Sequence, residues 1–134
     1  MSNPLVVVDS SEVREGKLEE LKAGLVELAE FVEANEAAPI AYNIYFSEDG
    51  ARMTVVQVHP DSESMELHMS LAGPLFRKFT GMVDLSRVDF YGTPSEAVLG
   101  AMREKARLLG NAPVVVHELH AGFARYDEPV RAAR

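Results

Sequence analysis

The sequence predicts an α+β fold of ferredoxin-like type, with helices on one face of an antiparallel sheet. Three features carry that prediction. Leu18, Leu21, Leu25, Leu28 and Val32 fall at three- and four-residue steps, opposite Glu19, Glu20, Lys22, Glu27 and Glu30. A second such stripe, Met65, His68, Met69, Ala72, Phe76 and Phe79, follows later in the chain. Strand-forming runs flank both stripes and give the order β-α-β-β-α-β, to which one more helix and strand are added.

The elements follow in order. Leu5 to Val8 is a β-branched run, with Asp9 and Ser10 expected in the turn or cap after it. The first helix follows the Arg14-Glu15-Gly16-Lys17 turn and ends near Asn35, before Pro39. Ile40 to Phe46 and Met53 to His59 form a hairpin, because Asp49-Gly50 supplies the positive φ that its turn needs. Pro60 stops the second of these strands, and Asp61 or Ser62 caps the next helix. A kink or break is expected in that helix at Gly73-Pro74. Val83 to Tyr91 is a fourth strand. Thr93-Pro94-Ser95-Glu96 reads as a capping box with proline at the first helical position, opening a helix to about Leu109 that Gly110 closes. A last strand is expected from Val114 to roughly Tyr126.

At 134 residues the chain has the length of one domain. That domain is placed at residues 1–126, with 127–134 as a flexible tail. Thirteen basic against twenty-one acidic side chains leave a net charge of −8, which disfavours nucleic acid or an anionic membrane as partner. Cysteine is absent, which excludes disulfides, thiolate chemistry and Cys-ligated metal centres and fits a cytoplasmic protein. The opening Met-Ser-Asn-Pro-Leu-Val-Val-Val-Asp reads as neither a signal peptide nor a membrane span. Leu5 to Val8 and Val114 to Val116 are apolar on consecutive residues, so both faces of the sheet should be covered. Helices cover one face, and the partner subunit of a homodimer is the simplest cover for the other.

The stretch Gln57-Val58-His59-Pro60-Asp61-Ser62-Glu63-Ser64-Met65-Glu66-Leu67-His68, continuing through Met69 to Phe76, resembles the antibiotic-biosynthesis-monooxygenase family of dimeric α/β barrels. In that family a strand ends in an acidic and then an aromatic residue, an Asp follows, and a helical His lies nine residues beyond the aromatic. Gln57 and His59 stand here where the acidic and aromatic residues are usual. The resemblance spans roughly Leu5 to Gly92 and implies a ferredoxin-like homodimer. It also implies a small apolar or aromatic ligand between sheet and helices, and oxygenation without a cofactor. A non-catalytic ligand-binding or sensing module on the same fold is the alternative.

Candidate site residues follow from both readings. His68 lies on the inward stripe and its neutral form can accept a proton, so it is the candidate general base, against the alternative of a core histidine tied to a backbone carbonyl. His59, nine residues earlier, is the second catalytic candidate, with a solvent-facing loop position as its alternative. Asn43 and Tyr45 share one face of their strand and Tyr42 takes the other, with the inward face left open. Asn43, Tyr45, Met65, Met69, Phe76 and Tyr91 are the candidate substrate-binding residues. His117 and His120 are three apart on an expected strand, whereas the zinc motif places two histidines four apart on a helix, so no metal site is expected.

Overall fold

The structure, a computed structural model, describes residues 4–126. The tail expected at 127–134 lies outside the described residues. The order is β1 (Leu5–Val13), α1 (Leu18–Asn35), β2 (Ala41–Phe46), β3 (Arg52–His59), α2 (Ser62–Phe76), β4 (Val83–Tyr91), α3 (Glu96–Leu108) and β5 (Val114–His117). The strands form one sheet in the order β2-β3-β1-β4-β5. The first four pair antiparallel, and β5 runs parallel to β4 at the edge. The ferredoxin-like α+β prediction therefore holds, with α3 and β5 as its extension.

Alternation sets the two faces of this sheet. In β1, Leu5, Val7, Asp9 and Ser11 are buried towards the helices, while Val6, Val8 and Ser10 point to the opposite face. The strand thus runs through Asp9 and Ser10, which the sequence placed in a turn. Asp, Ser and Glu are poor strand formers, but pairing with β3 on one side and β4 on the other overrides that preference as far as Val13. In β4 an extra residue near Ser86 shifts the register, so that Leu85 and Val88 both reach the helix side.

Helix ends account for two further differences. Asp61 caps α2 by accepting from the Ser64 backbone N–H at 2.9 Å. The break expected at Gly73-Pro74 is absent: α2 continues to Phe76 and tightens into a 3-10 turn over Arg77–Phe79. At α3 the cap is Ser95, whose Oγ accepts from Val98 N–H at 3.2 Å, so Pro94 lies just before the helix and not at its first position. The α3 C-terminus closes with Asn111 N–H donating to the Ala106 carbonyl at 2.8 Å across Gly110, whose φ is +117°.

The core has two centres. One joins Leu5, Val7, Val88 and Phe90 of the sheet to Met65 of α2 and Val98 and Met102 of α3. The other joins Met53, Val55 and Val83 to Leu21, Leu25, Leu28 and Val32 of α1. Side chains from both centres, Met65 and Met102 of the first and Leu28 and Val55 of the second, line a cavity beside Asp9, Tyr42 and Gln57. Among the described residues no helix is long and apolar enough to cross a membrane.

Candidate active site

The cavity has a volume of about 410 Å³. Its floor is the sheet, with Asp9 of β1, Tyr42 of β2, and Val55 and Gln57 of β3. Met65, His68, Met69 and Phe76 of α2 form one wall, and Met102, Lys105 and Leu109 come from α3 and its C-terminal cap. Apolar side chains make most of the lining surface; Asp9, Gln57 and His68 are its buried polar groups, and Ser70, Arg77, Thr80, Glu104 and Lys105 are its more exposed ones.

His68 is buried and has a carboxylate partner. Its Nδ1 lies 3.1 and 3.0 Å from the two oxygens of Glu36, the residue that ends α1. Glu36 leaves the helix in an extended conformation with φ −127°, and its side chain is buried. Burial holds the His68 imidazole below its ordinary pKa, with His59 and Lys105 adding to the effect, so the ring is neutral at neutral pH. Burial also pushes the Glu36 carboxyl up. A neutral imidazole beside a carboxylate donates its Nδ1–H, which leaves the Nε2 lone pair as the basic position. Among the described residues Nε2 has no hydrogen-bond partner, and His68 lines the cavity.

His59 is fully buried and engaged at both nitrogens. Nε2 is 2.9 Å from Gln57 Oε1 and Nδ1 is 2.6 Å from Ser64 Oγ. An amide oxygen only accepts, so Nε2 carries the proton and Nδ1 accepts from the serine hydroxyl. Burial pulls its pKa down to about 4, with Asp61 working in the opposite direction. The solvent-facing alternative is therefore set aside. His59 packs behind His68, ring centroids 5.8 Å apart, and with both nitrogens committed it orders the site without facing the cavity.

Met65, Met69 and Phe76 line the cavity with His68, while Asn43, Tyr45 and Tyr91 do not. The alternation of β2 turns Tyr42, Ile44 and Phe46 to the helix side and carries Asn43 and Tyr45, both exposed, to the other face. Tyr91 is exposed on that same outer face, stacked on His117 at 4.5 Å between centroids. Tyr42 takes the inward place, its ring 5.1 Å from that of His68. Burial and the nearby carboxyls of Asp9 and Glu36 keep its hydroxyl protonated.

Sequence reasoning passed over Asp9, Glu36, Tyr42 and Lys105. Asp9 had a signal, since it stands in phase with Leu5 and Val7. Glu36 had none, lying just past a helix end in the stretch Glu33-Ala34-Asn35-Glu36-Ala37-Ala38, which carries no motif. His117 donates from Nε2 to Asp89 at 2.8 Å, and Asp89 is also gripped by Arg87. Among the described residues no three His, Asp or Glu side chains converge on a metal position.

Several solved structures share this architecture. MupZ from Pseudomonas fluorescens matches with a TM-score of 0.71 at 19% identity, over 92% of this chain and 96% of that one. A protein from Shewanella oneidensis matches at 0.60 and 27% identity, over 68% of this chain and 91% of that one. A proposed antibiotic biosynthesis monooxygenase from Nitrosomonas europaea matches at 0.61 and 14% identity, over 69% and 92%. The chain is thus like the antibiotic biosynthesis monooxygenases in fold. The 92% share with MupZ is too large to stop at β4, so the match extends into the added α3–β5 segment. No family model matches the sequence, and no curated protein matches it either.

Proposed function

We propose that this chain is a cofactor-free enzyme of oxygenase type, acting on a small apolar or aromatic molecule held between sheet and helices. The observation that carries the reading is the Glu36–His68 pair at the wall of a largely apolar cavity. His68 Nε2 accepts a proton from an acidic O–H or C–H of the substrate, and the Glu36 carboxylate steadies the imidazolium that results. The substrate anion, held among Met65, Met69 and Phe76, is electron-rich enough to reduce dioxygen directly. The names of fold neighbours such as the Nitrosomonas protein support the same reaction class. Work in the cytoplasm belongs to this reading and is supported by the lack of cysteine.

The test is oxygen uptake by the purified chain with anthrone or a hydroquinone, without added metal or flavin. Uptake is expected, and His68→Ala should slow it by about 10²-fold or more, the size of a lost general base. Equal uptake by a folded His68→Ala variant removes His68 from the chemistry. Tight binding across such a panel with no uptake assigns the cavity to a binding or sensing module instead.

A further inference from the structure

Asp9 is a buried ionisable group that the reaction above leaves unused. It sits midway along β1, inward with Leu5 and Val7, only 5% exposed, and it lines the cavity. Gln57, His59, Ser64, His68 and Glu36 all have side-chain partners. Among the described residues the Asp9 carboxyl has none. A buried carboxylate without a partner is costly, whereas a neutral carboxyl in the same place has a proton to offer to whatever fills the cavity.

We propose that Asp9 is a catalytic hydrogen-bond donor, meeting the oxygen on which charge gathers when His68 removes a proton. This rests on His68 as base, and it narrows the substrate class to an apolar carbonyl compound with an ionisable hydrogen on the adjacent carbon. In the step, the C–H bond breaks and its proton goes to His68 Nε2. The electron pair left behind forms the carbon–carbon double bond, and the carbonyl π pair moves onto oxygen. The Asp9 O–H donates a hydrogen bond to that oxygen and keeps its proton, giving an enolate held at Asp9 and an imidazolium at His68.

The surroundings fit this role. Burial pushes the Asp9 carboxyl above its ordinary value, and Lys105 of α3 pulls the other way. The other ionisable groups lining the cavity are Tyr42 of β2 and His68 of α2, with Arg77 and Glu104 at the exposed rim, while Glu36 beyond α1 and the buried His59 of β3 stand against His68. β3 and β4 pair Val55 and Val88 with Asp9, both uncharged. Asp9, Tyr42 and His68 line the same cavity, and the Tyr42 ring lies 5.1 Å from that of His68, which puts the donor and the supported base around one space.

Two measurements test the proposal on the whole chain. With carboxyl-labelled aspartate, the ligand-free protein should show Asp9 titrating at higher pH than the exposed aspartates. Binding of 2-naphthol, an apolar frame carrying an enol-like oxygen, should be about tenfold weaker in Asp9→Ala, the size of one hydrogen bond. Asp9→Asn keeps an N–H donor and should bind within about threefold of the parent. Asp9 titrating with the exposed aspartates, Asp9→Ala binding as well as the parent, Asp9→Asn binding as poorly as Asp9→Ala, or no naphthol binding at all each overturns it. The titration needs neither ligand nor turnover, so Asp9 can fail while His68-dependent oxygen uptake stands, and the reverse.

Discussion

At the residue scale, the two histidines separate by what their second nitrogen does. His59 has spent both, on Gln57 and Ser64, whereas His68 has spent one, on Glu36. The distinction was only half legible: helical spacing put His68 inward, but Glu36 lies thirty-two positions away and no local pattern joins them. Glu36→Gln tests the pairing. An amide can donate to Nδ1 and turn the proton to Nε2, so oxygen uptake should fall by about 10²-fold or more with the fold retained. For His59 the expected readout is stability against pH. Its folded pKa is about 4 against an ordinary 6.5, so the unfolded chain takes up the proton first as pH falls. Stability from this group is therefore whole above 6.5, is lost progressively down to about 4, and changes no further below that. The raised carboxyls of Asp9 and Glu36 act with the opposite sign, their contribution fading as pH rises. Denaturant midpoints for the parent and His59→Gln between pH 7.5 and 4 should converge as the parent loses its advantage, and parallel curves would show that His59 carries no such linkage.

At the scale of the element, the helices and the hairpin were legible because spacing and turn chemistry are local. The last strand was not. The sequence from Glu118 onward alternates well enough to continue β5, yet β5 stops at His117 after four residues. The reason lies in its neighbour. Among the described residues β5 pairs only with β4, whose last paired residue, Tyr91, meets His117, and Gly92 then turns away with φ +127°. Past that point none of the described backbone pairs with it, and alternation cannot report a missing partner. Two helix glycines give a prediction of opposite signs. A Cβ on Gly24 of α1 would stand 2.6 Å from Cε1 of Phe79, a ring buried in the core, whereas one on Gly100 of α3 meets nothing within 4 Å. Glycine inside a helix costs roughly 0.5–1 kcal/mol relative to alanine, so Gly100→Ala should stabilise the protein by about that much. Gly24→Ala should destabilise it, because the clash with Phe79 outweighs the gain. Thermal melts of the two variants decide this, and two shifts of the same sign would contradict it.

At the scale of the molecule, the helices leave one face of the sheet open, and its composition points to its cover. Across the strands, Ala41, Val58, Val6 and Tyr91 form one row and Asn43, Val56, Val8 and Asp89 the next. Val6, Val8, Val56 and Val58 make a continuous apolar centre, and Tyr45 and Tyr91 stand exposed on the same face. We propose that a second copy of the chain seats there, sheet on sheet, since such a patch is self-complementary under a two-fold axis. Beyond β5 the chain carries Leu119 at 70% and Phe123 at 80% exposure, apolar side chains that in this assembly extend the contact past the edge of the sheet. Sedimentation at micromolar concentration should then give a species of twice 14.7 kDa. Val56→Lys, a charge in the middle of the apolar centre, should shift it to the single chain while far-ultraviolet circular dichroism keeps its shape. Ending the chain after His117 should weaken the dimer without abolishing it, because the valine centre remains. A parent protein that sediments as one 14.7 kDa species would leave the outer face as free surface, and a Val56→Lys variant that stays dimeric would move the contact elsewhere.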